Sequence, residues 1–200
     1  MESAGRRPYR MGARAAALEA TRTRIMDAAM RLWTRHWYDD VTLQHIADEA
    51  GVSVQTVVNH FDGKDGLTEA VADLVASQTA VVRRAPAGDV DAIVAVLFDD
   101  YERHGDANAR WTAQIDRVPA IARAAAHARV QHRAWLEEVF ADRLPAGGPD
   151  REHALALHYA ATDVYLWKLW RRDLGLSRRD AERAMRDLVV SIDPRKGDDG

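Results

Sequence analysis

Ser53, Gln55, Thr56 and Asn59 bring four short hydrogen-bonding side chains together in a stretch otherwise dominated by valine. Gln and Asn can pair bidentately with adenine, and a Thr methyl can meet the methyl of thymine. A face selected only for solubility would more often carry Lys and Glu. The chemistry this grouping suits is the reading of base edges in duplex DNA.

Such side chains need a platform that holds them at a fixed angle. If a helix runs from Ser53 to Phe61, Val54, Val57, Val58 and Phe61 fall at i, i+3, i+4 and i+7 and pack inward. Gln55, Thr56 and Asn59 then occupy the opposite face, with His60 at its edge. Upstream, Thr42 to Ala50 reads as a second short helix with Leu43, Ile46, Ala47 and Ala50 inward. Gly51 permits the chain to turn, and Ser53 is a suitable N-cap for the helix that follows. Two short helices about a glycine turn make a helix-turn-helix, whose second helix enters the major groove. The residues alone also fit a helical hairpin inside some other bundle.

The rest of the chain bounds the class. It has 200 residues, 47% hydrophobic and 30% charged, enough for a real core. There is no cysteine, which excludes disulfides and thiolate chemistry and makes a cytoplasmic setting the simplest expectation. No apolar run approaches the roughly 20 residues that cross a bilayer. Arg6 and Arg7 resemble the start of an export signal, but Arg10, Arg14 and Glu19 interrupt any apolar core behind them. The net charge is −3, yet Arg6, Arg7, Arg10, Arg14, Arg22 and Arg24 crowd the beginning. A basic end on an acidic molecule suits a protein that touches DNA with one part; a solvated basic tail fits equally well on charge alone.

Period-two strands are absent, and everything from Ala15 to Ile192 reads as helix with short connections. The expected fold is all-α, with about nine helices in two domains. Residues 1–15 are expected to be a disordered basic arm. Residues 16–84 form a three-helix helix-turn-helix domain with a linking fourth helix from Lys64 to about Arg84. Residues 85–192 form a helical ligand-binding and dimerisation domain, and 193–200 a disordered tail. The boundary is placed in Arg84-Ala-Pro-Ala-Gly88. The first helix is expected over Ala16–His36, with Ile25, Ala28, Ala29, Leu32 and Trp33 as its stripe. Later helices are expected near Val90–His104, Asn108–Arg117, Pro119–Leu144, Pro149–Leu174 and Ser177–Ile192.

From Ile25 to Leu67 the chain resembles the DNA-binding domain of tetracycline-repressor (TetR) family regulators. The likeness rests on Ala28-Ala29 and Leu32, on Val41-Thr42, on Ile46-Ala-Asp-Glu-Ala-Gly-Val-Ser53, on Thr56-Val57 and His60-Phe61, and on Lys64-Asp-Gly-Leu67. The resemblance implies that Thr42 caps its helix and binds a phosphate. It implies that Ser53, Gln55, Thr56 and Asn59 face the groove, that His60 supports the end of the reading helix, and that Lys64 binds a phosphate at a helix start. Two residues depart from the family pattern: Gln55 stands where glycine is frequent and Val58 where tyrosine is common. Losing the tyrosine shifts phosphate binding toward Thr42, Lys64 and the arginines of the arm, Arg10 and Arg14.

The segment Ala154–Trp170 is apolar almost all round, so two of its sides must be buried. One side fits a partner chain, with Ala156, Ala160, Val164 and Trp167 joined by Met185 and Leu188 of the final helix. A central helix of a monomeric core is the other reading. The resemblance implies a homodimer, a palindromic operator and a repressor released by a small-molecule effector. Tyr101, Trp111, His158, Tyr159 and Thr162 are the candidate lining for a small hydrophobic or aromatic effector. No cofactor, metal or membrane is expected. The rivals are a helix-turn-helix interaction module and an all-helical enzyme. Against the enzyme, there is no phosphate loop or nucleophile elbow. The pairs His127/His132 and His153/His158 also miss the spacing of about four that suits zinc on a helix.

Overall fold

Ala and Arg are the commonest residues of the chain, both favour helix, and helix follows wherever an apolar stripe can be buried. The computed structural model describes residues 6–192, with side chains from Arg14 onward. In order these form α1 (Arg6–Arg35), α2 (Leu43–Ala50), α3 (Val54–Phe61), α4 (Lys64–Val82), α5 (Val90–Thr112), α6 (Pro119–Val139), α7 (Gly148–Thr162), α8 (Val164–Lys168), a π-helical turn (Leu169–Asp173) and α9 (Arg178–Ser191). No strand occurs among the described residues. The protein is all-α, with an N-terminal helix-turn-helix followed by a larger helical domain.

The chain divides into two compact units, with the boundary between Val71 and Ala72. That differs from the boundary expected at Arg84–Gly88. Leu67, Thr68 and Val71 of α4 are buried with the first unit, whereas Arg83 and Ala85, just past its end, pack with the second. The expected linking helix thus begins in the first unit, and the division falls within it.

Ile25, Ala28, Ala29 and Trp33 of α1, Ile46 and Ala47 of α2, and Val57 and Phe61 of α3 make the core of the first unit. Residues 6–15, expected to belong to a disordered arm, are helical in α1. Ala, Met and Arg favour helix there, and Pro8 lies in the first turn, where its missing N–H costs nothing. From Arg14 to Ala20 every side chain of this extension is exposed. Residues 1–5 and 193–200, also expected to be disordered, lie outside the described residues.

The second unit is built around α5, whose Ile93, Leu97, Phe98 and Tyr101 meet Leu136 and Phe140, Leu155, Trp167 and Met185. Where the sequence suggests two helices, α5 runs unbroken through Gly105. That glycine is a packing slot. A Cβ there would stand 2.4 Å from Cζ3 of Trp167, whose ring lies against the α5 backbone and whose Nε1 donates to Glu102 Oε1 at 3.1 Å. The expected helix Pro149–Leu174 is instead broken at Asp163, which has an extended backbone and caps α8 by accepting from Tyr165 N at 2.8 Å. Outside this core, Asp91, Asp99, Glu102 and Asp106 of α5 pair with Arg186, Arg178, Arg171 and Arg172.

Gly105→Ala tests the slot. Alanine is the better helix former by about 1 kcal/mol, but overpacking a rigid core costs about 1–3 kcal/mol. The substitution should lower the thermal midpoint. A raised midpoint in calorimetry would show that Trp167 does not need the space.

Candidate nucleic-acid interface

Local hydrogen bonds set the helix-turn-helix. Thr42 Oγ1 accepts from His45 N at 3.2 Å, and His45 Nδ1 accepts from Thr42 N at 3.3 Å, a reciprocal cap at the start of α2. Gly51 closes α2 in the left-handed conformation, φ 66°, which favours glycine. Ser53 then starts α3: its Oγ accepts from Thr56 N at 3.1 Å and lies 2.8 Å from Thr56 Oγ1. Thr42 and Ser53 thus act as caps, as the sequence indicates.

In α3, Val57 and Phe61 are buried while Gln55 and Asn59 are exposed. Gln55 Nε2 donates to Asn59 Oδ1 at 2.9 Å, so the two amides hold each other on the outer face. The Gln55 oxygen and the Asn59 amino group keep further hydrogen-bonding capacity. The inward stripe is narrower than expected. Val54 and Val58 are only half-buried, because they sit at the flank of the line joining Val57 and Phe61. Thr56 and His60 are also half-buried, at the margins of the reading face.

Lys64, expected at a phosphate, is turned inward here. Its Nζ donates to the Tyr38 carbonyl at 2.5 Å and lies 3.8 Å from the Tyr38 ring centroid. Desolvation lowers its pKa, opposed by the carboxylates of Asp39, Asp65 and Asp40. Tyr38 carries no signal in the sequence, because a lone tyrosine between two helices is uninformative until its partner is known. Arg14 is fully open on α1, and the Arg10 side chain lies outside the described residues.

The expected ligand residues are drawn together only in part. Tyr101 OH donates to the Thr162 carbonyl at 2.8 Å, and Thr162 Oγ1 donates to the His158 carbonyl at 2.8 Å. The His158 ring stacks on Phe140 with centroids 4.1 Å apart, and Tyr159 meets His132 edge-on at 4.8 Å. Trp111 lies ten residues beyond Tyr101 on α5, about 15 Å along the helix. The residues that complete the cluster have no signal in the sequence. Arg83 Nε donates to Asp100 Oδ2 at 2.8 Å, and Arg83 Nη1 lies 3.2 Å from His132 Nδ1. Arginine only donates, so Nδ1 of His132 accepts, and its Nε2–H points to Thr162 Oγ1 at 3.1 Å. Burial and the Arg83 charge push the His132 pKa down to about 3, which keeps the ring neutral. Burial raises Tyr101 to about 12. No group of three His, Asp or Glu able to hold a metal occurs among the described residues.

Two residues expected at a dimer surface are corrected. Trp167 and Met185 are 0% exposed within one chain and belong to its core, because the Gly105 slot and the α5–α9 packing enclose them. Ala156, Ala160 and Leu188 are exposed and Val164 is half-buried. Leu157, Tyr165 and Leu169 are exposed beside them.

Residues 25–71 match the family model described as bacterial regulatory proteins, tetR family. The chain carries a TetR-family DNA-binding domain. The TetR-family match ends at Val71, where the first compact unit also ends. It contains Thr42, Ser53, Gln55, Thr56, Asn59, His60 and Lys64, and leaves out Arg10, Arg14 and the whole second unit. Among relatives, the uncharacterised HTH-type transcriptional regulator YvkB of Bacillus subtilis is 34% identical over 73 residues, 36% of this chain and 39% of that protein. The HTH-type transcriptional regulator SrpR of Pseudomonas putida is 44% identical over 57 residues, 28% of this chain and 27% of that protein. The HTH-type transcriptional regulator BetI of Burkholderia ambifaria is 32% identical over 103 residues, 48% of this chain and 53% of that protein. The chain thus spans between about a quarter and a half of the length of these relatives. The likeness in fold extends further than the likeness in sequence. A transcriptional regulator from Rhodococcus sp. Rha1 superposes with a TM-score of 0.67 at 19% identity, covering 86% of this chain and 95% of that one. A tetR-family regulator from Streptomyces coelicolor superposes with a TM-score of 0.63 at 20% identity, covering 87% and 79%. None of the described helices is long and apolar enough to cross a membrane.

Proposed function

We propose that this protein is a cytoplasmic, non-enzymatic transcriptional regulator, a repressor that binds a palindromic operator as a homodimer and leaves it on binding a small hydrophobic or aromatic effector. The observation that carries the reading is the outward face of α3 within the TetR-family domain. A two-turn helix capped by Ser53 presents Gln55 and Asn59 to solvent, with Thr56 beside them. The homodimer is supported by the exposed apolar face of α7, α8 and α9, since an apolar face of this kind is characteristic of an interface. The effector class is supported by the aromatic residues Tyr101, Trp135 and Tyr159 around the polar cluster of the second unit. An effector can release DNA only by favouring the conformation whose reading helices miss the operator.

Selection of bound duplexes from random DNA tests the reading directly. The expected product is an inverted repeat with half-sites one helical turn apart or a multiple of it. Recovery of no enriched sequence would defeat the proposal.

A second test concerns the basic start of α1. Deleting residues 1–14, which removes Arg10 and Arg14, should weaken operator binding. It should also flatten the plot of log affinity against log salt by about 0.9 for each phosphate that the arm neutralises. An unchanged slope in fluorescence-anisotropy titrations would make these arginines bystanders.

A further inference from the structure

We propose that Arg22 of α1 is a positioning residue for the recognition helix, gripping its C-terminal turn from outside; the inference rests on the DNA-binding reading of α3. Arg22 Nη1 donates to the carbonyl of His60 at 3.1 Å, and its guanidinium carbon lies 4.4 Å from the centroid of the Phe61 ring. One side chain thus holds two consecutive residues of α3. The last carbonyls of a helix have no partner within it, and a cation there also meets the negative end of the helix dipole.

The grip adds to the burial of Phe61, which anchors that end in the core. The α3 helix has eight residues. Its start is set by Ser53 and its middle by the burial of Val57. At its end the chain passes at once through Asp62 and Gly63, with φ of 56° and 109°, before α4 begins. Asp62 is in a conformation that side chains adopt rarely, and its N–H donates to the Val58 carbonyl at 2.8 Å, so the aim of α3 depends on how this corner is held. Asn59, half of the reading pair, immediately precedes the residue Arg22 holds. A planar guanidinium can donate to a carbonyl while its plane stacks over a ring; a lysine ammonium is a flexible point charge with no plane to stack, so it should hold the turn less firmly. Arg22 also borders an open groove of about 580 Å³ with Asn59 and Asp62, so direct binding of a phosphate is the competing role that the test must separate.

The test uses the full chain as wild type, Arg22→Met and Arg22→Lys. The probes are the duplex recovered by selection and a random-sequence duplex of equal length, and amide hydrogen exchange is measured on the DNA-free protein. Arg22→Met should lose about tenfold in affinity for the recovered duplex. Its binding to the random duplex and its salt slope should not change, and amides in the last turn of α3 should exchange faster without DNA. Arg22→Lys should fall between the two. A salt slope lower by about 0.9 with unchanged exchange overturns the inference, because Arg22 then binds a phosphate itself. Unchanged exchange with unchanged affinity overturns it too. So does a drop in thermal midpoint that is equal in both variants and accompanies the whole loss of affinity. If the wild type enriches no duplex, the DNA-binding reading fails, and the exchange data alone decide whether Arg22 holds the helix.

Discussion

Arg83→Met should destabilise the second unit by about 3–5 kcal/mol, while Arg83→Met combined with Asp100→Leu should recover most of that loss. The Arg83 and Asp100 side chains are 11% and 5% exposed, and their closest atoms are 2.6 Å apart. Removing the arginine leaves a carboxylate in a site closed to water. His104 Nδ1, 3.0 Å from Asp100 Oδ1, lies on an exposed ring and reaches only that oxygen, leaving Oδ2 without its partner. Removing both charges leaves an apolar hole, which is the smaller cost. His132 cannot take the arginine's place, because burial keeps it neutral far below physiological pH. Urea unfolding of the wild type, both single variants and the double variant supplies the cycle. A single-variant loss below about 1 kcal/mol would mean that the pair behaves as a surface ion pair. Arg83 follows the last residue of α4; its side chain holds Asp100 of α5, and Trp135 Nε1 of α6 donates to its carbonyl at 2.8 Å, so both contacts fix this residue within the second unit.

The helix-turn-helix is legible in the sequence because its signals are local. Thr42 and His45 are three residues apart, as are Ser53 and Thr56, and Gly51 marks its own turn. The Ser53 cap and the Gly51 turn read from the residues alone, whereas the Thr42 cap is what the family resemblance implies. The second unit hides its cluster because the partners are distant: Arg83 meets Asp100 across 17 residues and His132 across 49. A stretch-by-stretch reading cannot join them. Gly105 misleads for the same reason. A glycine inside a helical pattern suggests a break until the ring that needs the space, Trp167, is placed against it. Trp167 points to an interface in the sequence because an all-apolar helix shows that two sides are buried without showing which side faces the same chain; Met185 does so because the single stripe of the final helix does not say what covers it. Ala156 and Ala160 fall on the exposed side, as the smaller residues of that helix suggest, and His158 and Thr162 on the buried one.

That division allows the homodimer to be tested without unfolding the chain. Leu157→Arg with Ala160→Arg should leave a folded monomer whose operator affinity is lower by about 10²–10⁴. Both positions are exposed within one chain, Leu157 at 41%, so new charge there costs the protomer little. Leu157 and Ala160 of α7, Tyr165 of α8, Leu169 just after it and Leu188 of α9 are exposed, and in a twofold dimer the same patch would be buried on both protomers. Arginines placed there would be buried against like charge in the dimer and free in the monomer, so the equilibrium moves toward the monomer. Operator binding should fall with it, because the second half-site is engaged at the high effective concentration that only a tethered pair provides. Trp167→Ala serves as the contrast. It empties the core and should cost about 3–5 kcal/mol in the protomer itself. Sedimentation velocity and operator titration on the same samples separate the cases. If the double arginine variant sediments as a dimer, the interface lies elsewhere. If it is monomeric yet binds the operator as tightly as the wild type, the palindromic reading fails with it.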